Sequence, residues 1–193
     1  GDGKVTKPWT EPGEPADPTK DRRIRLGNGC YQPSVSSLDG SIWCSGNTLT
    51  RIELGANPPE TAKAEIYNAP VKGGHGINID HNGVVWANYN GRGPGSENAV
   101  LTSFDRRKCK APLNGPKATG QHCVEGWTLY SAPGPKFKGV TDDLGTDFFY
   151  YDWVDQFDTF GLGKNVPIVT GTWSDSLMAL DPVVAQALGA GDH

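Results

Sequence analysis

Two stretches of this chain carry the same punctuation at the same spacing. "SVSSLDGSIWCSGNTLTRIEL" (34–54) and "INIDHNGVVWANYNGRGPGSENAVLTSFD" (77–105) each hold a short alternating run, a turn dipeptide, a second run ending near a tryptophan, and a third run. The dipeptides, Asp39-Gly40 and Asn82-Gly83, are those that tight hairpins favour, because both central positions want positive φ. Trp43 and Trp86 lie 43 residues apart, the period of a four-stranded propeller blade. An outer fourth strand follows in each copy, at 62–67 and at 127–130. The expected fold class is therefore all-β, with about three four-stranded β-propeller blades.

The third copy is blurred. Its expected inner strand is "FKGVT" (137–141), its second "FFYYDWV" (148–154) and its third "SDSLMALD" (174–181), with the insertions placed between these stations. Where a fourth strand should come, "PVVAQALGAGDH" reads as a short helix or a tail, with proline at the first helical position. The orphan run "KVTKPWT" (4–10) is a candidate to complete that last blade and remove an open edge. The expected organisation is an N-terminal strand and proline-rich linker over 1–29 and blade repeats over 30–181 (30–70, 71–135 and 136–181), followed by a tail over 182–193. Three blades do not close a ring, since propellers typically have four to eight. Closure then calls for further chain or for assembly of a homo-oligomer.

Composition agrees with many short strands. Glycine and proline together number 41 of 193 residues and are spread along the chain, as turns between strands require. The net charge of −4 offers no clustered basic surface for nucleic acid, and Asp21-Arg22-Arg23 and Asp105-Arg106-Arg107-Lys108 read as solvated loops. No run of 18 apolar residues is present to span a membrane. The start at Gly1, without a basic-then-apolar leader, suggests a processed, truncated or excised chain.

Cys30, Cys44, Cys109 and Cys123 form no C-x-x-C pair, which disfavours zinc and fits disulfides. Cys109 and Cys123 bracket "CKAPLNGPKATGQHC", a loop too polar to hold its shape by packing, so a staple there has a purpose. Cys30 with Cys44 follows by elimination, although four cysteines allow three connectivities. Disulfides imply an oxidising compartment, periplasmic or extracellular.

The pattern Gly-Ile-x-Ile-Asp, Asn-Gly, Val-Val-Trp resembles the NHL-like propellers, in particular the virginiamycin B (streptogramin) lyase-like family, over roughly residues 30–181. "SFDRRKC", "GPKATGQHC" and "GLGKNVPIVTGTWSDSL" look like an exported bacterial subgroup of it. The resemblance implies a propeller that serves as a lyase, a lactonase-like hydrolase or an interaction platform. It also implies that a His-Gly opening an inner strand contributes to a central pocket, with a neighbouring glutamate and a divalent cation. His75-Gly76 matches that station, where the first copy has Gln32-Pro33 and the third Phe137-Lys138-Gly139.

The candidate site residues follow. His75 opens an inner strand, where a neutral imidazole can act as a base or metal ligand, with Asn78 and Asp80 as polar neighbours for a ligand. The expected function is an exported propeller module that binds a small molecule or protein partner without a catalytic set. The alternative is a metal-assisted lyase or lactonase-like hydrolase in the central channel, with Mg or Ca as its cofactor. His81 reads as surface in the hairpin turn. Asp142, Asp143 and Asp147 lack calcium-loop spacing. Tyr150, Tyr151 and Trp153 read as strand residues before sugar-stacking rings, and "GTWSDS" lacks nucleophile-elbow spacing around Ser174 and Ser176. "GNG" and "GRGPG" precede no helix and are loops, not phosphate cradles.

Overall fold

The computed structural model describes residues 29–56, 61–71, 73–90, 99–110, 123–131 and 147–181, together with Glu14. These residues form three antiparallel sheets. The first runs β1 (Gln32–Val35), β2 (Ile42–Ser45), β3 (Thr48–Glu53), β4 (Lys63–Asn68) in spatial order. The second runs β5 (Gly74–Ile79), β6 (Val85–Asn90), β7 (Ala99–Phe104), β8 (Trp127–Ser131), and the third β9 (Phe149–Asp155), β10 (Val166–Gly171), β11 (Ser176–Ala179). Each strand pairs with the next in the chain, the arrangement that short turns between alternating runs produce. No described helix is long and apolar enough to cross a membrane.

A left-handed donor closes the first loop of all three sheets. The backbone N–H of Gly40 donates to Ser36 O at 3.0 Å, that of Gly83 to Asp80 O at 3.0 Å, and that of Asn165 to Asp155 O at 2.7 Å. All three donors are left-handed, with φ of 69°, 78° and 63°, which glycine and asparagine tolerate best. Asp39 and Asn82 are not left-handed, so the hairpins differ from the expected two-residue turns. The loops are longer, and side chains fill them. Asp39 Oδ1 accepts from Ser41 N, Asp80 Oδ1 from Asn82 N and Val84 N, and Asp155 from Thr159 N and Phe160 N.

This register corrects the third repeat. Asp155 stands where Ser36 and Asp80 stand, so β9 holds the station of β1 and β5. Among the described residues it is the first strand of its sheet, where a second strand was expected. Its partner is β10, a strand the sequence reading passed over, joined by residues 156–165 in place of a short turn. Pro167 lies inside β10 between two neighbours, where proline ordinarily argues against a strand. The runs 4–10, 137–141 and 182–193 lie outside the described residues.

The sheets stack face to face, with β5 against β1 and β2 on one side and β5 and β6 against β9 on the other. Side-chain alternation along β6 sends Val85 into one interface and Trp86 into the other. Between the first two sheets lie Trp43, Leu49, Tyr67, Ile77, Ile79, Val85 and Phe104. Between the second and third lie Trp86, Leu101, Tyr130, Phe149, Val154 and Val169. The two tryptophans occupy one station: Trp86 Nε1 donates to Asp80 directly at 3.3 Å, and Trp43 Nε1 reaches Asp39 through Ser41 Oγ.

Two disulfides, Cys30–Cys44 and Cys109–Cys123, match the expected pairs and fit an oxidising environment. One charged run reads differently in three dimensions. Arg107 is exposed and pairs with Asp105, but Arg106 turns inward to Glu65 and Tyr67 of β4, tying the second sheet to the first. Asp21-Arg22-Arg23 lies outside the described residues.

Candidate functional site

Counting five residues back from Ser36, Asp80 and Asp155 gives Tyr31, His75 and Tyr150. The structure brings these three rings together. The His75 ring lies 4.7 Å from Tyr31, edge-on, and 4.7 Å from Tyr150. Such centroid spacings are those of attractive aromatic pairs. Tyr31 is exposed and hydrogen-bonds Tyr150, an interaction that holds its hydroxyl above the usual tyrosine range. Tyr151, also exposed, packs edge-on against Tyr150 at 4.7 Å, and Phe148 links Tyr150 to Trp173. One station of each repeat thus contributes a ring to a single aromatic cluster at one end of the sheets.

His75 is fixed from behind. Its carbonyl accepts from Ser45 Oγ of β2 at 2.6 Å, which ties its strand to the first sheet. In the first copy the matching residue is Tyr31, not Gln32, and among the described residues of the third it is Tyr150; Phe137 lies outside them. Sequence comparison slipped by one residue in the first copy because the His-Gly dipeptide, rather than the hairpin end, set the alignment.

The other expected residues lie elsewhere on the strand. Asp80 is buried at the far end of β5, about 16 Å from His75 at strand rise, with its carboxylate engaged by Asn82, Val84 and Trp86. Asn78 lies between them and donates to Asp152 O at 3.4 Å, stitching β5 to β9. His81 is exposed in the turn, its ring 5.3 Å from Phe157. Asp147 accepts from Phe148 N, Trp173 N and Ser174 Oγ, and so closes the β10–β11 hairpin onto the start of β9. Asp142, Asp143 and "GRGPG" lie outside the described residues.

A divalent ion asks for several oxygen or imidazole ligands. The rings beside His75 are tyrosines, and among the described residues no three His, Cys, Asp or Glu side chains gather into a metal-binding group. The set around His75 does not fit that ion. An open depression near the first hairpin is lined by Asp39, Arg51 and Glu53, but these charges pair with one another.

Sequence reasoning missed one buried group. Asp152 on β9 projects into the interface over Gly76, beside Asn88, and neither buried carboxyl oxygen receives a well-formed hydrogen bond. Burial pushes its pKa well above the usual carboxylate range, and the backbone N–H groups of Asp152 and Asn88 offset only part of that. Burial, then the Asp152 charge, also pushes the Tyr89 hydroxyl up. The folded state therefore holds a proton that the unfolded chain releases above about pH 4. The contribution of this group to stability is fully present below that value and is lost as pH rises toward the folded pKa. Asp152→Asn should abolish this decline, flattening the fall of the urea midpoint between mildly acidic and neutral pH. An unchanged slope in the variant would assign the decline to other groups.

Compared with family models, with curated proteins and with solved structures, the chain matches none.

Proposed function

We infer that the three sheets are consecutive blades of a β-propeller and that the chain is an exported binding module. It takes a ligand or partner where Tyr31, His75 and Tyr150 meet. The observation that carries this reading is the convergence of one station from three repeats on one aromatic cluster. Packing alone does not require exposed rings at that point. Tyr31 and Tyr151 present flat apolar faces to solvent with hydroxyls at their rims, the mixture of apolar wall and few polar groups that binding sites use. Two disulfides support export to the periplasm or the outside of the cell. The tyrosine surroundings of His75 favour binding over metal-assisted lyase or lactonase chemistry, which needs further ligands at that position.

The test is an NMR screen of neutral oligosaccharides and small aromatic acids, run with and without added magnesium and calcium. Ligands that bind should shift the ring resonances of His75 and Tyr150. Tyr31→Ala with Tyr150→Ala should weaken them at least about tenfold, a loss of about 1.4 kcal/mol. Binding that maps elsewhere and survives both substitutions would sink this reading. Metal-dependent turnover abolished by His75→Ala would replace it with the enzyme.

A further inference from the structure

The described sheets build the same sheet-to-sheet interface twice, and the outer two present the unmatched halves of a third. In each internal interface one sheet presents its tryptophan-bearing face, and the next presents the opposite face. On the second sheet that opposite face consists of Ile77, Ile79, Val85, Ala87 and Phe104, packed against the first sheet. The equivalent stations of the first sheet, by strand register, are Pro33, Val35, Ile42, Cys44 and Ile52. Every one is apolar; Cys44 is buried and bonded to Cys30 and Ile42 and Ile52 are half-buried, but Pro33 and Val35 are exposed, and no described sheet covers this face. Val35 is 63% exposed where its counterpart Ile79 is 3% exposed.

The third sheet shows the complementary half. Its face turned away from the second sheet carries Trp153, Ile168 and Ala179, paired across the strands, with Leu177 opposite Thr170 and Tyr151 beside them; Ile168 is buried among these neighbours, while Tyr151, Trp153 and Leu177 are exposed. Ile168 stands at the station of Trp43 and Trp86, and Leu177 at that of Leu101. Leu101 is 2% exposed inside the second interface, whereas Leu177 is 68% exposed. Phe160 packs edge-on against Trp153 at 5.7 Å and extends the patch. A solvated β-sheet face ordinarily alternates to polar residues. Here both end faces keep the apolar residues of a buried interface, in the two different forms that meet each other inside the chain.

We propose that these faces pair between copies of the chain, the Leu177 face of one copy seating on the Val35 face of a second. The contact is heterologous, because the two surfaces differ, so two equal contacts form when a pair of copies closes on itself. The pairing of faces follows from the repeat. Closure at two copies rests on the blade reading above, with two copies supplying six blades around one axis, within the four to eight that propellers typically have. The partner is therefore a second copy of this chain, and the interface continues the one already made twice within it.

The test is the native mass of the 193-residue chain by light scattering across a hundredfold range of concentration, for wild type, Val35→Asp and Leu177→Asp. Both substitutions lie on exposed side chains, and circular dichroism checks that the variants stay folded. The expected result is twice the single-chain mass for wild type and the single-chain mass for each variant. A wild-type monomer would overturn the proposal and mean that the end faces are covered within the chain. A dimer broken by only one of the two substitutions would also overturn it, since that is the signature of a symmetric contact through one face. Mass that climbs past two copies would overturn closure. Ligand shifts at His75 and Tyr150 in a monomeric chain would leave the binding reading standing while this one falls.

Discussion

Gly76→Ala should destabilise the protein by about 3 kcal/mol, at the upper end of what overpacking costs. A β-carbon built on Gly76 falls inside van der Waals contact with Asp152 Oδ1 and Asn88 Oδ1, and within 2.7 Å of the Asp152 backbone nitrogen. The first two are side-chain ends, but neither is free to swing. Asn88 is held at both ends, accepting from Gly76 N and donating to Phe149 O, and Asp152 is enclosed. The third atom is strand backbone, which yields only if β9 moves off β5 and opens the interface around Trp86 and Val154. The urea midpoint should therefore fall. A change of less than about 0.5 kcal/mol, the range of an ordinary surface substitution, would show that the second and third sheets do not approach this closely. In this fold the missing side chain of Gly76 is what lets two sheets meet.

Glu65→Ala should cost as much or more, about 3–5 kcal/mol, because it breaks a buried ion pair from one side. Glu65 is buried on β4, where it accepts from Arg106 Nε at 2.8 Å, from Arg106 Nη2 at 2.7 Å and from the Tyr67 hydroxyl at 2.6 Å. Arg51 Nη1 stands 3.5 Å away and lies over the Trp43 ring. Without the carboxylate, two guanidinium groups face each other between the first two sheets, and the Tyr67 hydroxyl loses its hydrogen bond to Glu65. Arg51 keeps Asp39 and Glu53, so Arg106 bears most of the loss. Burial alone would raise the Glu65 pKa, but the hydrogen bonds from Arg106 and Tyr67 and the charges of both arginines prevail and hold it below the usual range. This contribution is present above about pH 4.3, the ordinary glutamate value, and is lost as pH falls through the folded pKa. Chemical denaturation should show the Glu65→Ala deficit at neutral pH and its shrinkage in acid. A deficit that is independent of pH would assign it to packing alone.

Much of the architecture was legible because it depends on local rules. Gly40 and Gly83 sit where hairpins need left-handed residues, the outer strands follow where expected, and each cysteine joins the partner that its spacing favours. The third repeat was misread for two local reasons. Residues 156–165 replace a dipeptide turn, with Asn165 supplying the positive φ that glycine supplies elsewhere, and Pro167 disguises a strand with a neighbour on each side. The site was less legible. His75 stood out as a residue type, but Tyr31 and Tyr150 are ordinary strand-end aromatics until the hairpin ends are aligned. Asp152 gave no signal among six aspartates between 142 and 158.

The sequence by itself determined that the chain is all-β, that it repeats, where its first two hairpins turn and which cysteines can bridge. Each of these follows from interactions between residues close along the chain, or from a period that survives without coordinates. Only the tertiary structure decided which faces meet. It placed Tyr31, His75 and Tyr150 in one cluster, drew Arg106 inward to Glu65, buried Asp152 over Gly76 and left Val35 and Leu177 on uncovered faces. Those outcomes depend on how sheets from distant segments stack, and a side chain's surroundings there come from residues up to 119 positions away, the span from Tyr31 to Tyr150.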